Sequence, residues 1–509
     1  MWARFTSTDV RNIFSYLGTL LIGFSFLFLL PFITGLIRQE WKPASNYLLG
    51  GGISAVLGCA LRFTRVSNPR LNRQQAMAVT GLAWLVLAAV ASIPLYMSGH
   101  FANPLDALFD SVSGITTTGA SVIEDLDHLS NADNMWRFAL HGLGGLGLIV
   151  VALSFGLFGG NVGSSLYSSE GRNEHVVPSI VDTARTIAKL STVFIGIAAL
   201  VMFGVLIYLG LSPDRSFLHA LWLSISGFAT GGFSPMADSV MYYNSPILEL
   251  VLMVLMVFGT INFALYNEFL HNKIAMLYKD IEIRTMVIWL AVITTVFAFA
   301  LASSGNFHDI TAMIRRGLFM VISAYSTSGF QTITSNQLTT VFSSGALLVL
   351  AIFMAVGGGS GSTAGGLKLF RVGIMFKSIT NTIKEALLPD SAKVATSYNH
   401  LGRKILSPKV AKEAMTIFIL FVITVGVGAL AGIMHGYDAT SSIFESLSMA
   451  GNGGITCGII SPDMPKTLEI IYIIQMWAGR LEFITLLALV VQTVVSVIPQ
   501  KRRTGLSND

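Results

Sequence analysis

The chain has 509 residues, 53% hydrophobic and only 12% charged, with a mean hydropathy of +0.68. Globular domains carry about 25% charged residues, so a soluble chain of this length would have to bury an implausible share of itself; the bilayer is the better solvent. A net charge of +5 calls for no nucleic-acid partner, and two cysteines, Cys59 and Cys457, exclude a disulfide framework.

A helix needs about 20 apolar residues to cross the hydrocarbon core. Ten runs are read as spans: Tyr16–Ile37, Tyr47–Leu61, Met77–Tyr96, Met135–Leu157, Ile187–Leu211, Ile247–Leu270, Met286–Ala302, Ala346–Val356 continuing past an interruption to Phe376, Ala414–Met434 and Leu468–Ile498. The run from Phe14 to Ile37 has no small-residue cleavage site in register, so the first span is expected to be retained. Positive charges sort to one side. Arg65, Arg70 and Arg73, then Arg172, Arg185 and Lys189, then Lys273, Lys279 and Arg284, then Lys377 to Lys412, then Lys501, Arg502 and Arg503 follow the even-numbered spans. The opposite loop, 98–134, carries Asp106, Asp110, Glu124, Asp125, Asp127 and Asp133 with no Lys or Arg. By the positive-inside rule both termini are cytoplasmic.

The outer connections hold a repeat. Phe109-Asp-Ser-Val-Ser113-Gly-Ile-Thr116-Thr117-Thr118-Gly119 shares its pattern with Trp222-Leu-Ser-Ile-Ser226-Gly-Phe-Ala229-Thr230-Gly231-Gly232. Phe319-Met-Val-Ile-Ser323-Ala-Tyr-Ser326-Thr327-Ser328-Gly329 and Phe444-Glu-Ser-Leu-Ser448-Met-Ala-Gly451-Asn452-Gly453-Gly454 complete the set. The template is aromatic-x-x-x-Ser-x-x-x-(Thr/Asn)-x-Gly, with the serines 113, 97 and 125 residues apart. A single small-residue cluster would be explained by close helix packing, but four copies, each inside a hairpin of spans, are an internal repeat. A half-helix that re-enters the membrane and unwinds leaves carbonyls without partners, which is tolerated only along a water-filled path or inside protein. Its C-terminal end is partially negative and favours a cation, and four copies give rings of neutral oxygens that replace a hydration shell. The expected fold is an all-α polytopic membrane protein with about ten transmembrane helices: an N-terminal hairpin (1–70) and four pore repeats, 71–165, 166–275, 276–390 and 391–509, around one central pore.

At these residues the sequence resembles the Trk/Ktr/HKT superfamily of potassium uptake proteins, most closely the bacterial Trk-type membrane subunit. The segment from Ser113 to Ala120 is similar to that family's first filter. Gly357-Gly358-Gly359-Ser360-Gly361-Ser362-Thr363-Ala364-Gly365-Gly366-Leu-Lys368 is similar to its intramembrane glycine loop, and the helix around Arg480 to its last helix. The resemblance implies potassium influx through a four-part filter, a homodimer in the inner membrane, and gating by a cytosolic nucleotide-binding regulatory subunit (TrkA/KtrA-like), with no cofactor in this chain itself. It also ties glycine at Gly119, Gly232, Gly329 and Gly454 to potassium selectivity. The fourth filter has more glycine and less hydroxyl than the first, which leaves a less selective K+/Na+ transporter or a cation symporter as the alternative.

The glycine loop has six glycines in ten residues and cannot hold a helix; placed under the filter it would obstruct the pore. Arg480 falls mid-span, where a charge is expensive and usually functional, either as a barrier or latch or as a structural partner of Glu482 or of backbone carbonyls. Lys368 either belongs to the gate or snorkels to the cytoplasm. Asp110 and Glu445, at matching positions in the first and fourth repeats, either enrich cations at the mouth or brace the pore helices. The long stretches 170–189 and 377–412 are a docking surface for a regulator or for anionic membrane lipid. Gly358-Gly-Ser360-Gly361 also matches intramembrane serine proteases, a reading that leaves the four repeats unexplained. Residues 361–368 only approximate a phosphate-binding loop, because no strand precedes them and Lys368 does not directly follow a glycine.

Overall fold

Ten membrane segments follow one another along the chain in a computed structural model that describes residues 4–64, 71–158, 160–170, 179–304, 310–389, 395–481 and 483–497. Arg65, Arg70, Arg172, Lys393, Glu482 and the basic residues 501–503 lie outside the described residues. Among the described residues, six segments are long and apolar enough to cross alone: Ser7–Ile37, Trp41–Arg62, Arg73–Tyr96, Ile180–Tyr208, Ile281–Ala302 and Pro408–Met434. The first starts well before Tyr16, because Thr6 and Asp9 form a reciprocal capping box that satisfies the leading N–H groups.

The other four segments are broken, where an interruption was expected only in the eighth. Asn131–Leu146 and Leu148–Ser154 meet at 88°, with Gly147 between them at φ +91°. Pro246–Thr260 bends by 97° into the next helix, which starts at Phe263 and is capped by Asn262 accepting the Ala264 N–H at 2.9 Å. Ser344–Ala355 stops before the glycine loop and Leu369–Leu387 resumes after it. Lys466–Arg480 is followed by Ile484–Val497, so Arg480 ends the first helix at the break in the middle of the span. These are the second spans of the four repeats, and the reason is steric. Gly144, Gly259 and Gly479 each press on the last carbonyl of their own repeat's half-helix, at Ile115, Phe228 and Ala450. A Cβ there would lie 1.8, 2.4 and 2.2 Å from the oxygen.

Each hairpin encloses a half-helix: Pro104–Ile115, Pro213–Phe228, Ile310–Tyr325 and Ala439–Ala450. Two of their starts are capped by side chains, Asn103 and Asp438, and Pro104 and Pro213 open the first turns of two. Each broken span packs on the half-helix of the next repeat. Asn131–Leu146 lies against Pro213–Phe228, Pro246–Thr260 against Ile310–Tyr325, and Ser344–Ala355 against Ala439–Ala450. Lys466–Arg480 returns to Pro104–Ile115 and closes the ring.

The leading hairpin packs outside this ring. Gly18 and Gly58 bring its two helices close enough that a Cβ at Gly18 would lie 2.6 Å from the Gly58 carbonyl, so small-residue packing does operate here. Tyr47 donates to Asp133 at 2.6 Å, and the Glu40 carboxylate accepts the Asn131 and Ala132 N–H groups at 3.0 and 2.9 Å, capping the fourth segment. One departure from all-α is an antiparallel hairpin, Ser397–Asn399 with Arg403–Ile405, turned by Leu401 and Gly402 at positive φ.

Candidate ion-conduction site

The four repeats end their half-helices in the same way. The N–H of Thr118 donates to Ser113 O at 2.8 Å, that of Gly231 to Ser226 O at 2.9 Å, Ser328 to Ser323 O at 2.9 Å, and Gly453 to Ser448 O at 2.7 Å. The N–H of Thr117, Thr230, Thr327 and Asn452 donates to the carbonyls of Gly114, Gly227, Ala324 and Met449. These paired bonds are the Schellman termination of a helix, which needs a left-handed residue at its turn. That residue is Thr117, Thr230, Thr327 or Asn452, at φ +52° to +55°. Glycine is the usual occupant, and a β-branched residue there costs about 1–3 kcal/mol; such strain persists only where the surroundings enforce it. Two residues on, Gly119, Gly232, Gly329 and Gly454 have φ +86°, +76°, +85° and +68°. The spacing of the sequence template is thus the spacing of this turn.

The turns meet. A Cβ on Gly119 would lie 1.9 Å from Gly231 O, one on Gly232 1.9 Å from Ser328 O, one on Gly329 3.0 Å from Gly453 O, and one on Gly454 1.8 Å from Thr118 O. Each segment therefore abuts the next in chain order and the fourth abuts the first. The ring alternates in chemistry. Thr116 and Thr118 share a hydroxyl hydrogen bond of 2.8 Å, as do Ser326 and Ser328. At the corresponding places the second and fourth turns have Ala229, Gly231, Gly451 and Gly453, and here a side chain from the preceding repeat fills the space. The His141 ring lies 2.5 Å from where a Gly231 Cβ would be, and Met354 Sδ 2.8 Å from that of Gly453. Asn452 compensates for the hydroxyl-poor fourth turn by donating to Thr118 Oγ1 at 3.0 Å and Met476 O at 2.9 Å.

Residues 357–366 form no helix, as expected, but they are largely buried and bonded to every side. Thr363 Oγ1 donates to Phe228 O and Gly259 O at 2.9 and 2.8 Å and accepts from Thr230 Oγ1 at 3.2 Å. The Gly365 N–H donates to Thr327 Oγ1 at 2.7 Å. Gly359 N–H donates to Thr260 O at 2.8 Å, and Ser360 N–H to Glu282 Oε1 at 2.6 Å. Lys368, 9% exposed, turns back to donate to Ala364 O, so it closes the loop and does not snorkel.

Arg480 ties three repeats together. It donates to Thr363 O at 2.8 Å, to Thr117 Oγ1 at 3.2 Å, to Gly145 O at 3.5 Å and to Gly144 O. The strained residues Thr117, Thr230 and Thr327 are thus each gripped by the loop or by Arg480. Trp84, Glu170, Lys368 and Arg480 line a cavity of about 30 Å³ beneath the ring.

Asp110 and Glu445 are fully buried. Asp110 accepts from Arg137 Nε at 3.2 Å and from Ser121 Oγ at 2.5 Å. Glu445 accepts from Thr456 Oγ1 at 2.5 Å and Cys457 N–H at 2.8 Å. Each brings down the strand eleven residues after it, so the geometry is that of a brace. Arg137, His141, Met354 and Glu282 escaped the sequence reading. Arg137 and His141 had a signal there, as ionisable residues inside an apolar run. The hydrogen bond of Ser360 runs through its backbone N–H to Glu282, not from its hydroxyl to an imidazole as a protease would need.

The sequence profile of the TrkH family, cation transport protein, matches residues 44–498. The chain is 31% identical to an uncharacterized cation transporter of Methanocaldococcus jannaschii, over 96% of both chains. It is 27% identical to the Trk system potassium uptake protein TrkH of Halomonas elongata, covering 94% of this chain and 98% of that one. The crystal structure of the potassium transporter TrkH from Vibrio parahaemolyticus superposes with a TM-score of 0.81 at 25% identity, covering 95% and 99% of the two chains. A profile match over most of the chain, on a fold in which the same broken hairpin recurs four times, makes this polytopic membrane protein a member of the TrkH family of cation transport proteins.

Proposed function

We propose that this chain takes up potassium ions across the inner membrane, through a filter formed by residues 116–119, 229–232, 326–329 and 451–454. The observation that carries this reading is the ring of four turns of the same left-handed backbone geometry, each abutting the next in chain order. Four half-helix C-termini bring partial negative charge to one axis, and backbone oxygens of the turns replace the hydration shell of a dehydrated monovalent cation. Potassium is the substrate, as it is for the relatives named as potassium uptake proteins, and the chain needs no cofactor of its own.

In this reading residues 357–366, with Lys368, close the path below the filter, and Arg480 holds them there while repelling cations locally. Leu369–Leu387 leaves the loop directly as a helix, so force on that helix is transmitted to the loop. A cytosolic nucleotide-binding regulator engaging residues 377–412 would act in this way, on a homodimeric membrane subunit with both termini inside. The deciding experiment is expression in a bacterial strain lacking its potassium-uptake systems. Growth at low external potassium, lost when Gly119 and Gly232 are both changed to Ser, is the expected result. Failure to restore growth by a protein present in the membrane, with no rubidium flux in proteoliposomes, would reject the assignment.

A further inference from the structure

Below the glycine loop lies a cavity of about 830 Å³ to which all four repeats contribute. Its lining includes Arg73, Arg371, Lys404 and Lys409 against Glu413, and Glu282 and Asp280 lie buried behind the wall on Ser360 and His400, a formal balance of +1 from four cations and three anions. His400 also lines it, with the buried Asp280 behind it at 3.3 Å. Much of the remaining polar lining is hydroxyl, from serines of 164–169 and from Tyr167 and Tyr398.

The sign is wrong for the inner mouth of a cation path. A sphere of that volume has a radius of ~6 Å, and one net unit charge at that distance, in water with a screening length of ~8 Å, lowers the local concentration of a monovalent cation ~1.7-fold. Ordinary cytoplasmic lysines and arginines are solvated on separate loops. Here they come from four different elements: the start of the third span, the helix after the glycine loop, the β-hairpin and the start of the ninth span. Ser360 and Gly361 of the glycine loop share the lining, so an occupant would touch the loop as well as the wall.

We propose that this vestibule binds a phosphate-bearing anion, and that its occupancy sets the conductance of the pore. Guanidinium, ammonium and hydroxyl donors around a cavity of this size suit the several oxygens of a phosphate group. A bound dianion takes the balance from +1 to −1, raises the cation concentration at the inner mouth and raises flux about threefold. The same chemistry is presented by a soluble phosphate compound and by an anionic lipid headgroup. The inference rests on the pore reading above but has a readout of its own.

Inorganic pyrophosphate is the probe for the soluble source, and vesicles with or without phosphatidylglycerol are the probe for the lipid source. Calorimetry on the full chain in neutral detergent reports binding, and potassium flux from proteoliposomes of neutral lipid, with pyrophosphate on both sides, reports conductance. Saturable binding of pyrophosphate with a several-fold rise in flux supports the soluble source. A rise that follows phosphatidylglycerol content alone supports the lipid source. Lys404→Gln combined with Lys409→Gln, both exposed positions, is expected to weaken either effect at least tenfold and to raise anion-free flux. Pyrophosphate that neither binds nor changes flux, together with flux independent of phosphatidylglycerol, overturns the proposal. So does a double variant that responds as the parent does. Anion-free potassium flux in those same vesicles keeps the pore reading standing in either case.

Discussion

Arg480→Ala tests the closed state directly. The side chain holds Thr363 O of the loop at 2.8 Å and Thr117 Oγ1 of the first turn at 3.2 Å. A hydrogen bond from a charged donor contributes about 1.5–3 kcal/mol, so losing the bond to the loop alone shifts the open-to-closed ratio ~10- to ~150-fold toward open. Rubidium uptake into proteoliposomes at matched protein content should rise accordingly until the open fraction saturates. Charge removal by itself would also raise flux, so Thr363→Val is the uncharged companion. It deletes the hydroxyl bonds to Phe228 O and Gly259 O and keeps Arg480. If the loop is a gate, both variants conduct more than the parent. If both conduct less, the loop and Arg480 support the filter from below, and the reasoning fails.

The remaining predictions are independent of the gate. Serine at Gly119, Gly232 or Gly454 places a Cβ within 2 Å of the next segment's carbonyl, whereas at Gly329 the gap is 3.0 Å; the sodium-to-potassium permeation ratio from flux assays should rise at the first three and least at Gly329, and an unchanged ratio at all four would remove these residues from the filter. Asp110→Asn leaves Arg137 buried without its counter-charge, at a cost of about 3–5 kcal/mol, so the thermal midpoint in detergent should fall; a normal midpoint with reduced flux at low potassium would instead make Asp110 a cation attractor. Cysteines replacing Glu124 and Asp127, both exposed, should react with an impermeant reagent from outside, and those at Lys189 or Lys404 only from inside; labelling of Glu124 and Lys404 positions from one face would break the ten-span topology.

Local pattern determined a good deal about this protein. Runs of apolar residues set the spans, because crossing a bilayer is a length-and-composition problem solved within one segment. The Ser-x-x-x-(Thr/Asn)-x-Gly spacing marked the turns, because a Schellman termination is made entirely from residues within five positions of one another. What only the tertiary structure decided is which residues meet across the chain. Arg480 reaches Gly144 and Thr117, 336 and 363 residues away, and Ser360 finds Glu282 at a separation of 78; no periodicity encodes such pairs. The same limit explains Asp110 and Glu445, whose choice between attracting ions and bracing strands depends on burial by other segments. It explains the broken fourth, sixth and tenth spans as well. Their sequences are apolar enough to run straight, and each breaks just after the one glycine, Gly144, Gly259 or Gly479, that packs on the carbonyl end of its half-helix inside a closed ring.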